Sequence, residues 1–490
     1  MGAKTLSHCG STPTNIEPVI PERLTWLLDA EQIPGLLGRR FAEFGHQLYL
    51  VGGTVRDAFL AQDSSGSDNE YDFATDARPP RIKAILEGWA EKVYTTGEAF
   101  GTVAGIKEGG TLEITTFRRD VYRTDSRHPE VSFSNTIEED LERRDFTVNA
   151  LAIKVPDAQM VDPYGGLADL ARRVLTTPTS PEKTFADDPL RMLRLFRFWA
   201  TLEFQPAAPT LQAVAEMAGR LQIVSAERIR DELSKLLTAP HPAEALLGLV
   251  RSGLAEHFLP ELSSLEMEQD PRHRHKDVLA HSLAVVEKAS PRLVLRLACL
   301  LHDIGKPDTR TYGSKGVSFH HHEVVGARLA RRRLEELRYR RAVIDDVTRL
   351  VELHLRPHTL RMGWSDSAVR RYVRDAGPLL DDLNELVRCD VTTVNQRRAA
   401  AIQNRIDQLE QRIAELREKE DLERLRPPVN GYRIMSYLGI SPGPKVGEIM
   451  QILLEKRIEE GLYSEHEALV IARRWAMDQG WEDPGPPPQE

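Results

Sequence analysis

The chain has 490 residues, more than one hydrophobic core normally serves, and so reads as two to four domains. With 41% hydrophobic and 28% charged residues it is too apolar for bulk disorder, and no run approaches the ~18 apolar residues of a membrane span. A formal net charge of −9 argues against a general nucleic-acid coat, while leaving room for a local basic groove.

Residues 1–20 are polar and proline-containing and read as a disordered leader. The opening MGAKTLSHCG lacks a basic-then-apolar signal, so the expected address is the cytoplasm. Cys9, Cys299 and Cys389 are too few for a disulfide framework and show no paired metal spacing, which fits reduced thiols. From about 45 to 160 the chain predicts strands with short helices. The β-rich runs are Gln47–Val51, Tyr71–Thr75, Lys92–Thr96, Thr102–Ile106 and Leu112–Phe117. After Gly166 nearly everything has helical period. The predicted class is α+β: a small mixed or antiparallel sheet with helices, followed by an elongated all-α body.

Leu50–Asp57 reads LVGGTVRD, a strand ending in Gly52–Gly53 before a helix that carries Arg56. Glycines there let backbone N–H groups approach an anion, although a plain tight turn has the same pattern. In DNEYDFATDA, Glu70 and Asp72 sit two apart on a predicted strand and so share a face. Like-charged neighbours repel unless a hard cation sits between them. Glu113, on a predicted neighbouring strand, completes a carboxylate cluster suited to two-metal phosphoryl transfer. EEDLERRDFTVNA with Arg143–Arg144, DPYGGLADL, and FADDPLRMLRLFRF follow. On the last, at about 100° per residue, Asp188, Arg191, Arg194 and Arg197 share half the helix circumference. Asp-to-Arg helical pairing explains part of this, but three arginines on one arc are hard to satisfy locally and suit a triphosphate or a base edge.

Five motifs in order, VGGTVRD, EYDFATDA, RRDFTVNA, DPYGGLADL and DDPLRMLR, resemble the class II tRNA nucleotidyltransferase and bacterial poly(A) polymerase superfamily, in its actinobacterial CCA-adding type. The resemblance implies a head whose Glu70 and Asp72 hold two Mg²⁺ ions, with Glu113 beside them. Gly53 and Arg56 would meet the phosphates of CTP or ATP, and Arg144 would touch the nucleotide. Asp188 and Arg191 would read the Watson–Crick edge, and Arg194 and Arg197 would hold the triphosphate. The implied partner is the tRNA 3′ end, with no membrane. Two departures stand out. The family's first metal position is normally Asp, where this chain has Glu70, with Asp68 as a rival ligand. Leu195 and Phe196 also replace small residues on the template helix, a change that reads as packing.

Most of the 15 histidines fall within Arg272–Asp390. His281 lies on a predicted helix, and His302–Asp303 ends an apolar helix ahead of IGKP. His320–His322, His354, His358 and Asp390 follow. Imidazole with carboxylate suits transition metals. The pattern resembles the HD superfamily of metal-dependent phosphohydrolases. That resemblance implies His281, His302, Asp303 and Asp390 around a first metal, and His322 and His354 toward a second; a lapsed structural spacer is the plainer alternative.

Arg397–Arg424 reads as a long charged, solvated strut. Arg328–Arg341 and Arg370–Arg374 are candidate RNA surfaces, as is the PGPKVG turn within Asn430–Gly447; solvated faces and a plain turn are the plainer readings. The expected domains are a catalytic head at 21–165, a nucleotide-recognition neck at 166–268 and an HD module at 269–396. A helical RNA-binding tail at 397–481 and a disordered end at 482–490 complete them. The expected activity is CCA addition to tRNA. An A-only or C-only enzyme or a poly(A) polymerase is the alternative within the superfamily. An HD phosphohydrolase with an impaired head, or a tRNA-binding chaperone, is the alternative outside it.

Overall fold

The computed structural model of the chain describes residues 21–29, 31–60, 70–121, 130–267, 277–313, 316–359, 364–392, 396–420, 422 and 425–488. The predicted leader, Asp68 and Asn69 lie outside them. The chain divides into two units, one running to Leu195 and including Leu202–Ile223, the other comprising Phe196–Thr201 and Val224 onward.

The first unit is built on a seven-stranded sheet. Its strands are β1 (Leu48–Val51), β2 (Glu70–Thr75), β3 (Lys92–Tyr94), β4 (Thr102–Lys107), β5 (Gly110–Thr116), β6 (Ala152–Val155) and β7 (Gln159–Val161). Their order is β3-β4-β5-β2-β1-β6-β7, antiparallel throughout except for the β2–β5 pair. The five predicted runs are therefore all strands, within a few residues at their ends. Alternation sets the faces: on β5 Leu112 and Ile114 are buried while Thr111 and Glu113 are exposed. Tyr49, Val51, Ala74, Phe117, Ala150 and Ala152 form a core cluster with Ile137 and Leu141 of helix α2 (Ile137–Glu142). Helix α1 (Gly53–Phe59) follows β1 after Gly52, whose φ of +73° is a conformation that favours glycine.

The second unit is helical apart from a hairpin of Arg310–Gly313 with Gly316–Phe319. Helix α3 (Leu190–Leu202) contributes Phe196–Thr201 to it. Leu195 and Phe196 are fully buried, consistent with packing. Next come α4 (Val278–Lys288), α5 (Leu293–Leu301), α6 (His322–Glu336), α7 (Arg341–Leu353), α8 (Asp366–Ala376) and α9 (Leu380–Cys389). Helix α10 (Gln396–Lys419) is not a solvated strut. It buries Ile406, Leu409, Ile413 and Leu416, one stripe at helical spacing, and packs against α8 and α9. The stripe is sparse among charges, which is why composition alone reads as solvated.

Three further helices, α11 (Gly431–Leu438), α12 (Pro444–Glu460) and α13 (Glu465–Asp478), share a core of Val429, Ile434, Ile449, Leu453, Leu469 and Ala472. Residues beyond 482 are held against them: Asp483 takes both Nε and Nη2 of Arg473, and the Tyr437 hydroxyl donates to the Gly485 carbonyl at 2.7 Å. A buried ion cluster joins α8, the end of α10 and α12. Glu420 accepts from Arg370 at 2.8 Å and from Arg457, and all three are under 9% exposed.

Candidate active sites: a carboxylate edge in the head and a histidine–aspartate cluster in the helical unit

Parallel pairing of β2 with β5 places Asp72 opposite Glu113 and Glu70 opposite Thr111. The alternation leaves Glu70, Asp72 and Glu113 on one exposed face. Burial of the carboxyl raises the Asp72 pKa, with Arg144 opposing and Glu70 adding to the rise. Burial likewise raises Glu113, helped by the charges of Asp72 and Glu70. A side chain at Gly52 would put its Cβ 3.1 Å from Arg144 Nη1 and 3.8 Å from Asp72 Oδ2, so the glycine turn, the arginine and the carboxylate meet. All-oxygen donors at this edge fit a hard divalent ion such as Mg²⁺.

Behind that edge runs a buried network. Arg56 donates to Asp57 at 2.7 Å and to Asn149 at 2.6 Å. Asn149 donates to Asp145 at 2.9 Å, and Asp145 accepts from Arg194 Nε at 2.8 Å. Burial opposes the Asp145 charge, but Arg194 outweighs it and holds the carboxyl well below its usual range. Arg144 pairs with Asp140 at 3.3 Å. Asp145 and Asn149 are absent from the residues singled out in the sequence, although both stand in the RRDFTVNA motif.

The template-helix residues each have partners within the protein. Asp188 accepts from the Leu190 N–H at 3.1 Å. Arg191, 8% exposed, donates to the carbonyls of Thr184 at 3.3 Å and Arg143 at 2.5 Å, which takes up two of its five N–H groups. Arg197, grouped with the helical unit, pairs with Glu232 at 2.9 Å. The arginines are thus better satisfied than their spacing suggests, because their acceptors lie far away in sequence.

Two groups of three side chains among the described residues bring ligand atoms within 4.8 Å of one another: His281, His302 and Asp390, and Asp303, His322 and His354. All six were expected from the sequence. The Nε2 atoms of His281 and His302 lie 3.3 Å apart, and His281 Nε2 is 2.9 Å from Asp390 Oδ1. Asp303 faces both groups, with Oδ2 3.2 Å from His302 Nε2 and Oδ1 3.4 Å from His322 Nε2. His302, His322 and His354 each direct Nδ1 at the carbonyl three residues earlier, on Cys299, Phe319 and Val351. That arrangement fixes the ring and turns Nε2 inward. Nε2 of His322 and of His354 are buried without a hydrogen-bond partner, as imidazoles set to bind a metal would be.

The charges within the cluster shift its imidazoles in opposite directions. Burial disfavours charge on His302, but Asp303 overrides it and raises the ring to about 10. Burial and the His302 charge push His354 down to about 3. Lys306, unflagged by the sequence reading, reaches Asp303 at 2.6 Å. Gly305 explains the IGK turn. A Cβ there would fall 2.2 Å from the His322 carbonyl oxygen and 2.6 Å from the Gly326 nitrogen. Gly305→Ala is therefore expected to push α6 away and halve the metal content measured by plasma mass spectrometry; unchanged stoichiometry would refute that role.

Both predicted basic surfaces are largely neutralised. Arg333 makes two bonds to Glu261 at 2.9 Å, Arg331 pairs with Asp345, and Arg371 and Arg374 reach Glu455. These carboxylates belong to the same unit, and the paired charge leaves little for a phosphate.

Three family descriptions match in chain order: a poly(A) polymerase head domain at 48–176, a probable RNA- and SrmB-binding site of polymerase A at 203–265, and an HD domain at 278–392. This head, RNA-binding and HD succession is that of a polymerase-type nucleotidyltransferase. The A-adding tRNA nucleotidyltransferase of Deinococcus radiodurans is 34% identical over 445 residues, 88% of this chain and 95% of its own. The CCA-adding enzyme of Anoxybacillus flavithermus is 39% identical over 225 residues, 46% of this chain and 54% of its own. Among solved structures, the Bacillus stearothermophilus CCA-adding enzyme in complex with CTP has a TM-score of 0.65 at 24% identity, covering 91% of this chain and 98% of that one. The Thermotoga maritima CCA-adding enzyme complexed with tRNA scores 0.56 at 18% identity, covering 93% and 96%. The chain belongs to the tRNA nucleotidyltransferase and poly(A) polymerase family. None of its helices is long and apolar enough to cross a membrane among the described residues.

Proposed function

We propose that the protein adds nucleotides to the 3′ end of tRNA, building CCA from CTP and ATP and releasing pyrophosphate. The observation that carries this reading is the carboxylate edge of Glu70, Asp72 and Glu113 beside Gly52 and Arg144. Glu70 and Asp72 would hold magnesium, which supplies activation of the 3′-hydroxyl and neutralisation of the leaving phosphates. The Gly52–Gly53 turn and Arg56 would receive the triphosphate, with Asn149 and Asp57 fixing the Arg56 guanidinium. Asp188 and Arg191 would select C and A through an acceptor beside a donor fork.

Addition of A alone is the second reading, favoured because the relative matched across 88% of this chain is an A-adding enzyme. Incubating tRNAs ending before the tail, after the first C or after the second C with Mg²⁺ and each triphosphate, then sequencing the products, separates the two. C addition to a tail-less tRNA supports the first reading, and ATP use only after both C residues with no CTP incorporation on any of the three tRNAs supports the second. No incorporation under any condition overturns both.

Selectivity tests the template residues. Arg191→Ala is expected to lose preference for CTP over UTP, while Arg194→Ala mainly weakens triphosphate binding. The incorporation ratio does not depend on how much enzyme folds, so loss of the Arg191 bonds to Thr184 and Arg143 leaves this readout intact. An unchanged C-to-U ratio removes Arg191 from base recognition.

A further inference from the structure

In the first unit an unbroken chain of hydrogen bonds runs from the template helix to the glycine turn. Arg194 of α3 gives Nε to Asp145 Oδ2 at 2.8 Å and adds Nη2 to the same oxygen. Asp145 Oδ1 accepts from the Asn149 amide nitrogen at 2.9 Å, and the amide oxygen of Asn149 accepts from Arg56 Nη1 at 2.6 Å. Arg56, on α1, then sets Nη2 against the turn, where a Cβ at Gly53 would lie 3.6 Å from it. Arg56, Asp145 and Asn149 are all buried.

The charges at either end leave one orientation for the amide. Turned over, Asn149 would set its NH₂ against the Arg56 guanidinium and its oxygen against the Asp145 carboxylate. Burial works against the Asp145 charge and Arg194 outweighs it, so the acceptor between them stays ionised. Helix α3 is clipped to the same segment one turn earlier, where Arg191 donates to the carbonyl of Arg143 at 2.5 Å. The resemblance puts Arg194 on the triphosphate itself. The geometry instead turns its Nε and Nη2 onto a buried carboxylate, and its route to the glycine turn passes through Asp145, Asn149 and Arg56.

We propose that Asp145 and Asn149 are positioning residues for nucleotide addition, through which Arg194 on the base-reading helix sets the Arg56 guanidinium for the triphosphate. The inference rests on the reading that the Gly52–Gly53 turn and Arg56 receive the phosphates. A planar guanidinium binds a phosphate through a fork of fixed geometry, so its value there depends on how firmly its other N–H groups are held. Asn149 and Asp57 hold Nη1 and Nε, and the Asp145–Arg194 pair holds Asn149.

The test measures kcat and KM for ATP with the full chain, Mg²⁺ and a tRNA ending after the second C, a step that both readings of the activity require. Arg56→Ala is expected to raise KM by at least about tenfold, and Arg194→Ala to raise it several-fold. Because the Arg194 effect passes through Arg56, the double variant should match Arg56→Ala within about twofold. Effects that multiply, as two direct phosphate contacts would give, overturn the relay. Asn149→Leu keeps the approximate volume and loses both bonds. It should raise KM more than it lowers kcat, and leave the ratio of ATP to GTP incorporation unchanged, since Asp188 and Arg191 keep their own partners. A folded Asn149→Leu that melts earlier but keeps the native KM makes the network purely structural and overturns the proposal. If that variant does not fold, the cycle of Arg56 and Arg194 variants decides alone. Absence of ATP incorporation by the native protein overturns the transfer reading instead.

Discussion

Asp72→Ala is expected to lower Mg²⁺-supported incorporation of CTP by at least about a hundredfold, since even partners behind a metal ligand cost about 10–100-fold when removed. The register puts Asp72 beside Glu113 and close to Arg144, so no neighbouring carboxylate replaces it without moving a strand. Glu70 should respond differently. A carboxylate on Mg²⁺ must sit at about 2.0–2.1 Å in near-octahedral geometry, and one extra methylene makes that harder. Glu70→Asp should raise Mg²⁺-supported incorporation, and Mn²⁺ should narrow the gap between the two. The rival arrangement makes Asp68 the ligand; there Asp68→Ala abolishes activity and Glu70→Ala is mild. Single-turnover rates for the four variants side by side decide it, and a mild Glu70→Ala overturns the Glu70 assignment.

The second large effect belongs to the helical unit. Replacing both His302 and Asp303 with Ala should strip bound metal and abolish any phosphohydrolase activity, while nucleotide addition continues. Asp303 is 1% exposed and holds Lys306 at 2.6 Å. Its loss strands a buried cation at a cost of about 3–5 kcal/mol, so melting must be followed in parallel. Asp303→Asn keeps the volume and serves as the gentler variant. A parallel fall in addition by a folded variant would mean the two activities are not independent.

The head was legible because its strands carry clear alternation, and Glu113 could be placed next to Asp72 before the register was known. The six metal-cluster residues were legible through the resemblance of the His302–Asp303 doublet and its flanking histidines to the HD superfamily, which spacing alone would not have supplied. What stayed hidden depends on partners remote in sequence. Nothing near Arg333 announces Glu261, 72 residues away, nor does anything near Arg194 announce Asp145, 49 residues away. A run of arginines then looks the same whether it awaits RNA or is already paired. Gly305 was hidden for a related reason, since the close approach it allows is made by a different helix.

The ion cluster of Arg370, Glu420 and Arg457 bears on how far the protein can be shortened from its C-terminal end. Removal of α12 takes Arg457 away and also the Ile458 carbonyl, which accepts from Arg370 at 3.0 Å. Glu420 would then face α8 with one guanidinium in place of two, and Arg370 would lose an acceptor inside what had been a dry contact. Trimming at a point that looks like a simple linker after α10 would thus damage the packing of α8, a helix nearly fifty residues upstream. Proteolysis of the native chain should accordingly leave α8 through α12 as one resistant fragment, with cutting in that interval slow until the whole assembly opens.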